Sequence, residues 1–434
     1  MIVPCFLSPR VRASFAFIVA LSALGCSGGD EEPQAVAESF CGKVGGGPGK
    51  APEMTSSIDA DDAAIQYGGR MDFTDPKGPL YSAPAAYAKV RFTGTAVSVK
   101  LEDEFRWGRR NYYDVIVDEG TECERRAKIT PRQGTTEYPA VWGLSNGEHT
   151  VSFVKRTESS IGNVTFRGFG FKGDVGAPLD APTRKVQVIG DSINAGVGAD
   201  LPAKEDYPEG ATFESLCAED SWGVPYHNAN KAFGALTARH FGAEYQLAAV
   251  SGIGLMQNYS SNPSDDLRPL PEVYDSLLLQ DPASPPWDPK AFVPDLVLVA
   301  LGTNDFSPGD DIENHPRIPV DEYVANYIDF IDKLRSDAYY PDAKFLLLGS
   351  PMLGDKYPEM SDTFRTNLDT AITTIEEHYV SEGIDAVKSL KIDRQLNRGC
   401  SQHPSGTEHA QIAGTEAWEG HQQIIPVVSE LMGW

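Results

Sequence analysis

Val186-Gln187-Val188-Ile189-Gly190-Asp191-Ser192-Ile193 is the stretch on which the fold turns. Val186, Val188 and Ile189 supply a short apolar strand, Gly190 permits a tight turn, and a helix that follows would aim backbone N–H groups at the Ser192 oxygen. Gly-Asp-Ser alone is common and usually marks no more than a turn. Two later blocks add weight: Leu301-Gly302-Thr303-Asn304-Asp305 directly after an apolar run, and His403-Pro404-Ser405 near the end. A hydroxyl nucleophile, an amide donor and a late imidazole are the residue types that acyl transfer through serine requires.

Around this centre the pattern alternates between strands and helices. Asp295 to Leu301 and Lys344 to Gly349 are almost wholly apolar short runs, as expected for strands covered on both faces. Between them Val324, Tyr327, Ile328, Ile331 and Leu334 recur at helical spacing, and Phe364, Leu368, Ile372, Ile375 and Tyr379 form a second stripe. Such a rhythm predicts a parallel sheet flanked by helices, with the functional loops at the carboxyl ends of its strands. Ser192 and Asn304 both fall just beyond such ends.

Upstream the signals change. Tyr87–Phe92, Ala96–Leu101, Tyr112–Val117, His149–Phe153 and Val164–Phe169 alternate apolar and polar residues, with Gly, Asn and Asp between them. They predict an antiparallel β-sandwich over 58–172, joined by a Gly-, Pro- and Ala-rich linker, 173–183, to a catalytic domain over 184–434. No nucleophile or base stands out in the sandwich. Residues 26–57, rich in Gly, Pro, Ser and acidic side chains, read as a tether that cannot order itself.

Arg10 and Arg12 precede an apolar stretch from Ala13 to Leu24, too short to span a bilayer but suited to a secretory signal over 1–25. Export is therefore expected, to the cell envelope or the medium. Small residues before Cys26 resemble the lipobox of bacterial lipoproteins, which would make Cys26 the lipidated residue and that lipid the chain's one attachment to a membrane. A formal charge of -25 argues against nucleic acid or an anionic membrane surface as partner. Cys41, Cys123, Cys217 and Cys400 remain, an even number in an oxidising compartment. Connectivity does not follow from sequence, but one bridge in each half is the economical pairing, which joins Cys217 to Cys400. No cysteine pair has the spacing of a zinc knuckle, so no metal is expected.

The order Gly-Asp-Ser192, Gly-x-Asn304-Asp, then His403-Pro resembles that of SGNH (GDSL-type) hydrolases. The resemblance implies Ser192 as nucleophile and first oxyanion donor, Asn304 as another donor, and His403 as general base. It also points to a glycine of Val250-Ser251-Gly252-Ile253-Gly254 as a donor, Gly252 by its place after the serine and Gly254 as a close rival. His409, six residues beyond His403, is expected to pack a C-terminal helix. Many relatives carry an aspartate three residues before the catalytic histidine; here Cys400 stands there, and no carboxylate lies between Arg394 and His403. A Ser-His dyad is expected, its ring held by a backbone carbonyl or by Gln402.

The wider pattern, a sandwich followed by the hydrolase with Ser251-Gly252-Ile253-Gly254, Leu270-Pro271-Glu272-Val273-Tyr274, Pro294 to Phe306 and Gly399 to Ser405, resembles carbohydrate esterase family 2 from about Tyr67 onward. That likeness implies removal of O-acetyl groups from polysaccharides such as xylan and glucomannan, with no cofactor. Trp222, Tyr226, Tyr259 and Phe306 lie in the segments nearest the site and are the aromatic candidates for contacting sugar, Phe306 for lining the acyl pocket. A lipase or lysophospholipase would use the same catalytic residues. A non-catalytic polysaccharide-binding lipoprotein would keep the sandwich without needing Ser192, Asn304 and His403 together.

Overall fold

Leu296 to Ala300 shows how the sequence builds the parallel-sheet half: every residue is buried, and successive side chains leave on opposite faces. Val297 and Val299 enter one core with the helices Val320–Arg335 and Phe364–Ser381. Leu296, Leu298 and Ala300 enter a second core with the helices Phe233–His240, Gly406–Ala413 and Ile424–Met432. A computed structural model of the chain describes residues 50–218, 223–260, 268–310, 315–355 and 363–434. The expected signal, most of the tether, Cys26 and Trp222 lie outside the described residues.

The central sheet contains β9 (Lys185–Gly190), β10 (Glu244–Ala249), β11 (Leu296–Ala300), β12 (Lys344–Leu348) and β13 (Val387–Leu390), numbered after eight strands of the preceding sheet. They are all parallel, in the order β10-β9-β11-β12-β13. The chain leaves β9 toward β10 and then returns to the other side of β9, making a topological switch between β9 and its two neighbours. Ligands in open α/β sheets bind outside the carboxyl ends of strands at such a switch. Register makes the consequence concrete: Ala249 and Ala300 both lie opposite Gly190. Ser192, Gly252 and Asn304 therefore follow a common line across three adjacent strands at short intervals.

The preceding sheet is antiparallel, with β1 (Ser56–Asp59), β2 (Gln66–Gly68), β3 (Leu80–Tyr81), β4 (Tyr87–Asp103), β5 (Tyr113–Val117), β6 (Arg125–Ile129), β7 (Glu137–Lys155) and β8 (Val164–Val175). Its order is β1-β8-β4-β7-β5-β6, with β2 on β4 and β3 on β8. Two of the expected strands are one: β4 runs from Tyr87 through Asp103, bent by register shifts after Gly94 and Val97. β1 begins at Ser56, within the expected tether, and β8 continues to Val175, within the expected linker.

The two sheets share buried structure. Tyr87, Ile116 and Val154 of the antiparallel sheet belong to the same core as Val186, Phe233 and Tyr245. Arg70, fully buried, donates to the carbonyls of Tyr274 at 2.5 Å and Ser276 at 2.9 Å and lies over the Tyr274 and Trp287 rings. Arg156, at the end of β7, pairs with Asp114 at 2.9 Å and with Asp200 of the catalytic half, and donates to the His227 carbonyl at 3.1 Å.

Candidate active site

The loop after β9 needs Gly190, because a Cβ there would meet the Asn194 side chain at 2.5 Å. Asp191 Oδ1 accepts the Ile193 N–H at 2.9 Å and closes the turn that carries Ser192. Burial pushes the Asp191 carboxyl up to about 7. Ser192 Oγ lies 2.6 Å from His403 Nε2. The other ring nitrogen, Nδ1, is 2.8 Å from the Ser401 carbonyl, which fixes the tautomer: Nδ1–H donates to Ser401 and the Nε2 lone pair receives the Ser192 hydroxyl. The backbone carbonyl thus holds the ring, and Gln402 stays exposed.

That carbonyl reaches the ring because Ser401 and Gln402 both adopt left-handed backbone, φ 55° and 60°. Such conformations are costly for non-glycine residues and need support. Support comes from both sides. Cys400 is bonded to Cys217 with Cα atoms 5.2 Å apart. Beyond His403, Ser405 and Glu408 form a capping box on the Gly406–Ala413 helix, and Glu408 also accepts the Arg398 N–H and Nε–H, each at 3.0 Å. Loss of hydration lowers the pKa of His403 to about 4, opposed by the Ser401 carbonyl and the negative charge of Glu158 and reinforced by His227. The ring is therefore neutral at pH 7, the state in which an imidazole can accept a proton.

The loop after β10 carries Gly252 at φ 75°, a left-handed conformation suited to glycine. Its carbonyl accepts the Tyr259 N–H at 2.8 Å. The rival Gly254 donates its N–H to Asn258 Oδ1 at 2.9 Å, whereas among the described residues the N–H groups of Ser192 and Gly252 meet no protein acceptor. Asn304 Nδ2 donates one hydrogen to the Ile253 carbonyl at 2.7 Å, fixing the amide beside this loop and leaving its second hydrogen for another acceptor. Asp305 takes the N–H groups of Leu255, Met256 and Gln257 at 3.0, 2.7 and 3.0 Å, so it shapes the loop from below. Burial nevertheless raises its pKa.

The aromatic candidates separate. Phe306 is 5% exposed, on the short Thr303–Phe306 helix with the equally buried Asn304, and its ring lies 4.7 Å from Tyr323. Tyr259 is 44% exposed. Tyr226 lies at the junction of the sheets, with Lys128 Nζ 5.6 Å over its ring. His409 is fully buried; its Nδ1 accepts the Phe233 N–H at 3.3 Å, and burial lowers its pKa to about 3. Among the described residues no group of three or more His, Cys, Asp or Glu is placed to hold a metal ion.

Two carboxylates at the site escaped the sequence reading. Glu408 carried a signal, Ser405-x-x-Glu408 before a helix. Glu158 carried none: it sits in the connection between β7 and β8, fully buried, and its Oε2 accepts the Ser251 N–H at 2.6 Å across 93 residues of sequence.

Residues 188–409 match the model of the GDSL-like lipase/acylhydrolase family, and residues 67–182 match the carbohydrate esterase 2 N-terminal model. The chain belongs to carbohydrate esterase family 2, within the GDSL-like acylhydrolases. A cellulase/esterase, CelE, of Acetivibrio thermocellus is 32% identical over 88% of the chain, which spans 41% of that protein. An acetylxylan esterase / glucomannan deacetylase of Cellvibrio japonicus is 29% identical over 83% of the chain and 92% of its own length. A solved active-site mutant of a family two carbohydrate esterase from Clostridium thermocellum, in complex with a cello-oligosaccharide, superimposes with TM-score 0.69 at 27% identity, covering 86% of this chain and all of that one. The two sheets of this family-two chain thus correspond to the two parts of the family's architecture.

Proposed function

We propose that the chain removes O-acetyl groups from a polysaccharide of the xylan or glucomannan type through a Ser192–His403 dyad. The observation that carries this reading is the 2.6 Å approach of Ser192 Oγ to His403 Nε2, with the opposite ring nitrogen held by Ser401. Ser192 attacks the acetyl carbonyl while its proton passes to Nε2. Oxyanion charge develops against the N–H groups of Ser192 and Gly252 and the second amide hydrogen of Asn304. Collapse expels the sugar alkoxide, which takes the proton from His403, and leaves an acetyl ester on Ser192. Water, deprotonated by the same imidazole, attacks that ester and releases acetate. Ser401 supplies a neutral acceptor where a carboxylate often stands, so it orients the imidazole while stabilising the imidazolium less than an anion would.

The sugar is inferred from the relatives: the Cellvibrio japonicus protein is described as acting on acetylated xylan and glucomannan, and the Clostridium thermocellum enzyme was solved with a cello-oligosaccharide. Exposed Tyr259, five residues beyond Gly254 and bonded through its N–H to the Gly252 carbonyl, is the side chain we assign to meet a sugar face. Export, with lipid on Cys26, remains the proposal for where the reaction occurs. Acetate release from acetylated xylan and glucomannan, compared with hydrolysis of acetyl and long-chain nitrophenyl esters, tests the reading. Preference for the acetyl substrates is expected; preference for the long chain would instead favour a lipase.

A further inference from the structure

Among the described residues, Glu158 is the carboxylate of the antiparallel half that bonds the loop bearing Gly252. Its own segment is unusually well held. Lys155 Nζ, fully buried, donates to the Thr157 and Glu158 carbonyls at 2.8 and 2.9 Å, and Thr157 Oγ1 donates to Asn111 Oδ1 at 2.6 Å. Arg156 clamps the same segment to the catalytic half through Asp200 and the His227 carbonyl, and its own carbonyl accepts the Ala229 N–H at 2.9 Å. The carboxylate that results is fixed at both oxygens: Oε1 accepts the Ser160 hydroxyl at 2.7 Å and Oε2 the Ser251 N–H at 2.6 Å.

Ser251 directly precedes Gly252. The peptide bearing the Gly252 N–H is therefore held on its upstream side by Glu158 and on its downstream side by Tyr259, whose N–H donates to the Gly252 carbonyl. A charge-assisted bond at the upstream anchor is stronger than a neutral one and leaves the glycine less freedom to rotate its N–H away. Oxyanion donors accelerate a reaction only if they are already aimed before charge develops.

We propose that Glu158 is a positioning residue supplied by the antiparallel sheet, which locks the Ser251-Gly252 peptide in the orientation that stabilises the oxyanion. This rests on the assignment of Ser192, His403 and Gly252 to ester hydrolysis. Its charge has a second consequence. The groups that act on His403 are Glu158 from the β7–β8 connection, His227 from the Val224–Tyr226 turn, the Cys400 and Ser401 carbonyls of its own loop, and His409 from the following helix. Among these Glu158 is the anion, so it favours the protonated imidazole.

The test is steady-state hydrolysis of nitrophenyl acetate by Glu158→Ala and Glu158→Gln, with Ser192→Ala alongside and folding checked by thermal unfolding. Glu158→Ala is expected to lower kcat on the order of 10- to 100-fold with KM within about twofold, since the lost aim matters chiefly in the transition state. Glu158→Gln keeps an acceptor for Ser251 and should recover most of that loss. In both variants the acid limb of kcat/KM should move to lower pH, because removing the anion disfavours protonated His403. Wild-type kcat and an unmoved acid limb in Glu158→Ala, with Ser192→Ala inactive, overturn the proposal while sparing the dyad. Activity surviving in Ser192→Ala overturns the dyad itself. Should Glu158→Ala fail to fold, Glu158→Gln decides: an acid limb shifted downward supports the role, and an unmoved one refutes it.

Discussion

At the scale of single residues, the proposed mechanism separates groups that react from groups that aim them. Removing the amide of Asn304 by substitution with Ala should cost about 100- to 1,000-fold in kcat with little change in KM, as expected for a donor whose bond tightens as charge develops. A change confined to KM would make it a substrate-binding residue. His403→Ala should abolish turnover, whereas His409→Ala should lower thermal stability and leave kcat close to wild type, because His409 touches Phe233 in the core. The pH profile follows from the neutral base. Because the pKa of His403 is lowered to about 4, the base is deprotonated throughout the neutral range, and its acid limb lies below that of an ordinary histidine. Half-maximal kcat/KM is expected below about pH 5.5; a limb at the unperturbed value near 6.5 would mean that the ring is better hydrated or more strongly paired than the Ser401 contact implies.

At the scale of elements, the histidine loop is the part that depends most on its neighbours. Its left-handed Ser401 and Gln402 are bracketed by the Cys217–Cys400 bridge on one side and the Ser405–Glu408 capping box on the other. Reduction of the bridge is expected to lower kcat at temperatures where circular dichroism still reports a folded protein. Equal loss of activity and fold would leave the disulfide a general staple. How far sequence led here varies by element. β11 was legible as an unbroken apolar run, every residue of which is buried, and the Phe364–Ser381 helix by its 3.6-residue period, all five residues of the stripe from Phe364 to Tyr379 being buried. β6, Arg125–Ile129, was not: its charged side chains lean outward and only Ile129 is buried, so the strand is specified by pairing with β5. Ser192, Asn304 and His403 stood out because their motifs are local. Glu158 was not legible because it reaches its partner from an element 93 residues away in sequence.

At the scale of the whole molecule, the antiparallel sheet shares a buried core with the parallel one. Tyr87 and Val154 enter the core of the parallel-sheet half, Arg70 is buried against carbonyls across the junction, and Arg156 is a buried ion that pairs with Asp114 on its own side and Asp200 across it. Breaking a buried pair by removing one partner costs about 3–5 kcal/mol, since the other charge is left unpaired. Arg156→Ala should therefore lower the midpoint of denaturation strongly, and the wild-type chain should unfold in one cooperative calorimetric transition. Two separated transitions would show that the sheets are independently stable.

All of this rests on Ser192 being a nucleophile activated by His403. Reaction with a fluorophosphonate, followed by peptide mass spectrometry, tests that most directly, because the probe modifies a serine only where a base removes its proton and donors receive the phosphonyl oxygen. The account predicts one adduct on the peptide bearing Ser192, greatly slowed by His403→Ala and unaffected by His409→Ala. An unmodified Ser192 in active protein, or an adduct on another serine that persists in Ser192→Ala, would contradict it.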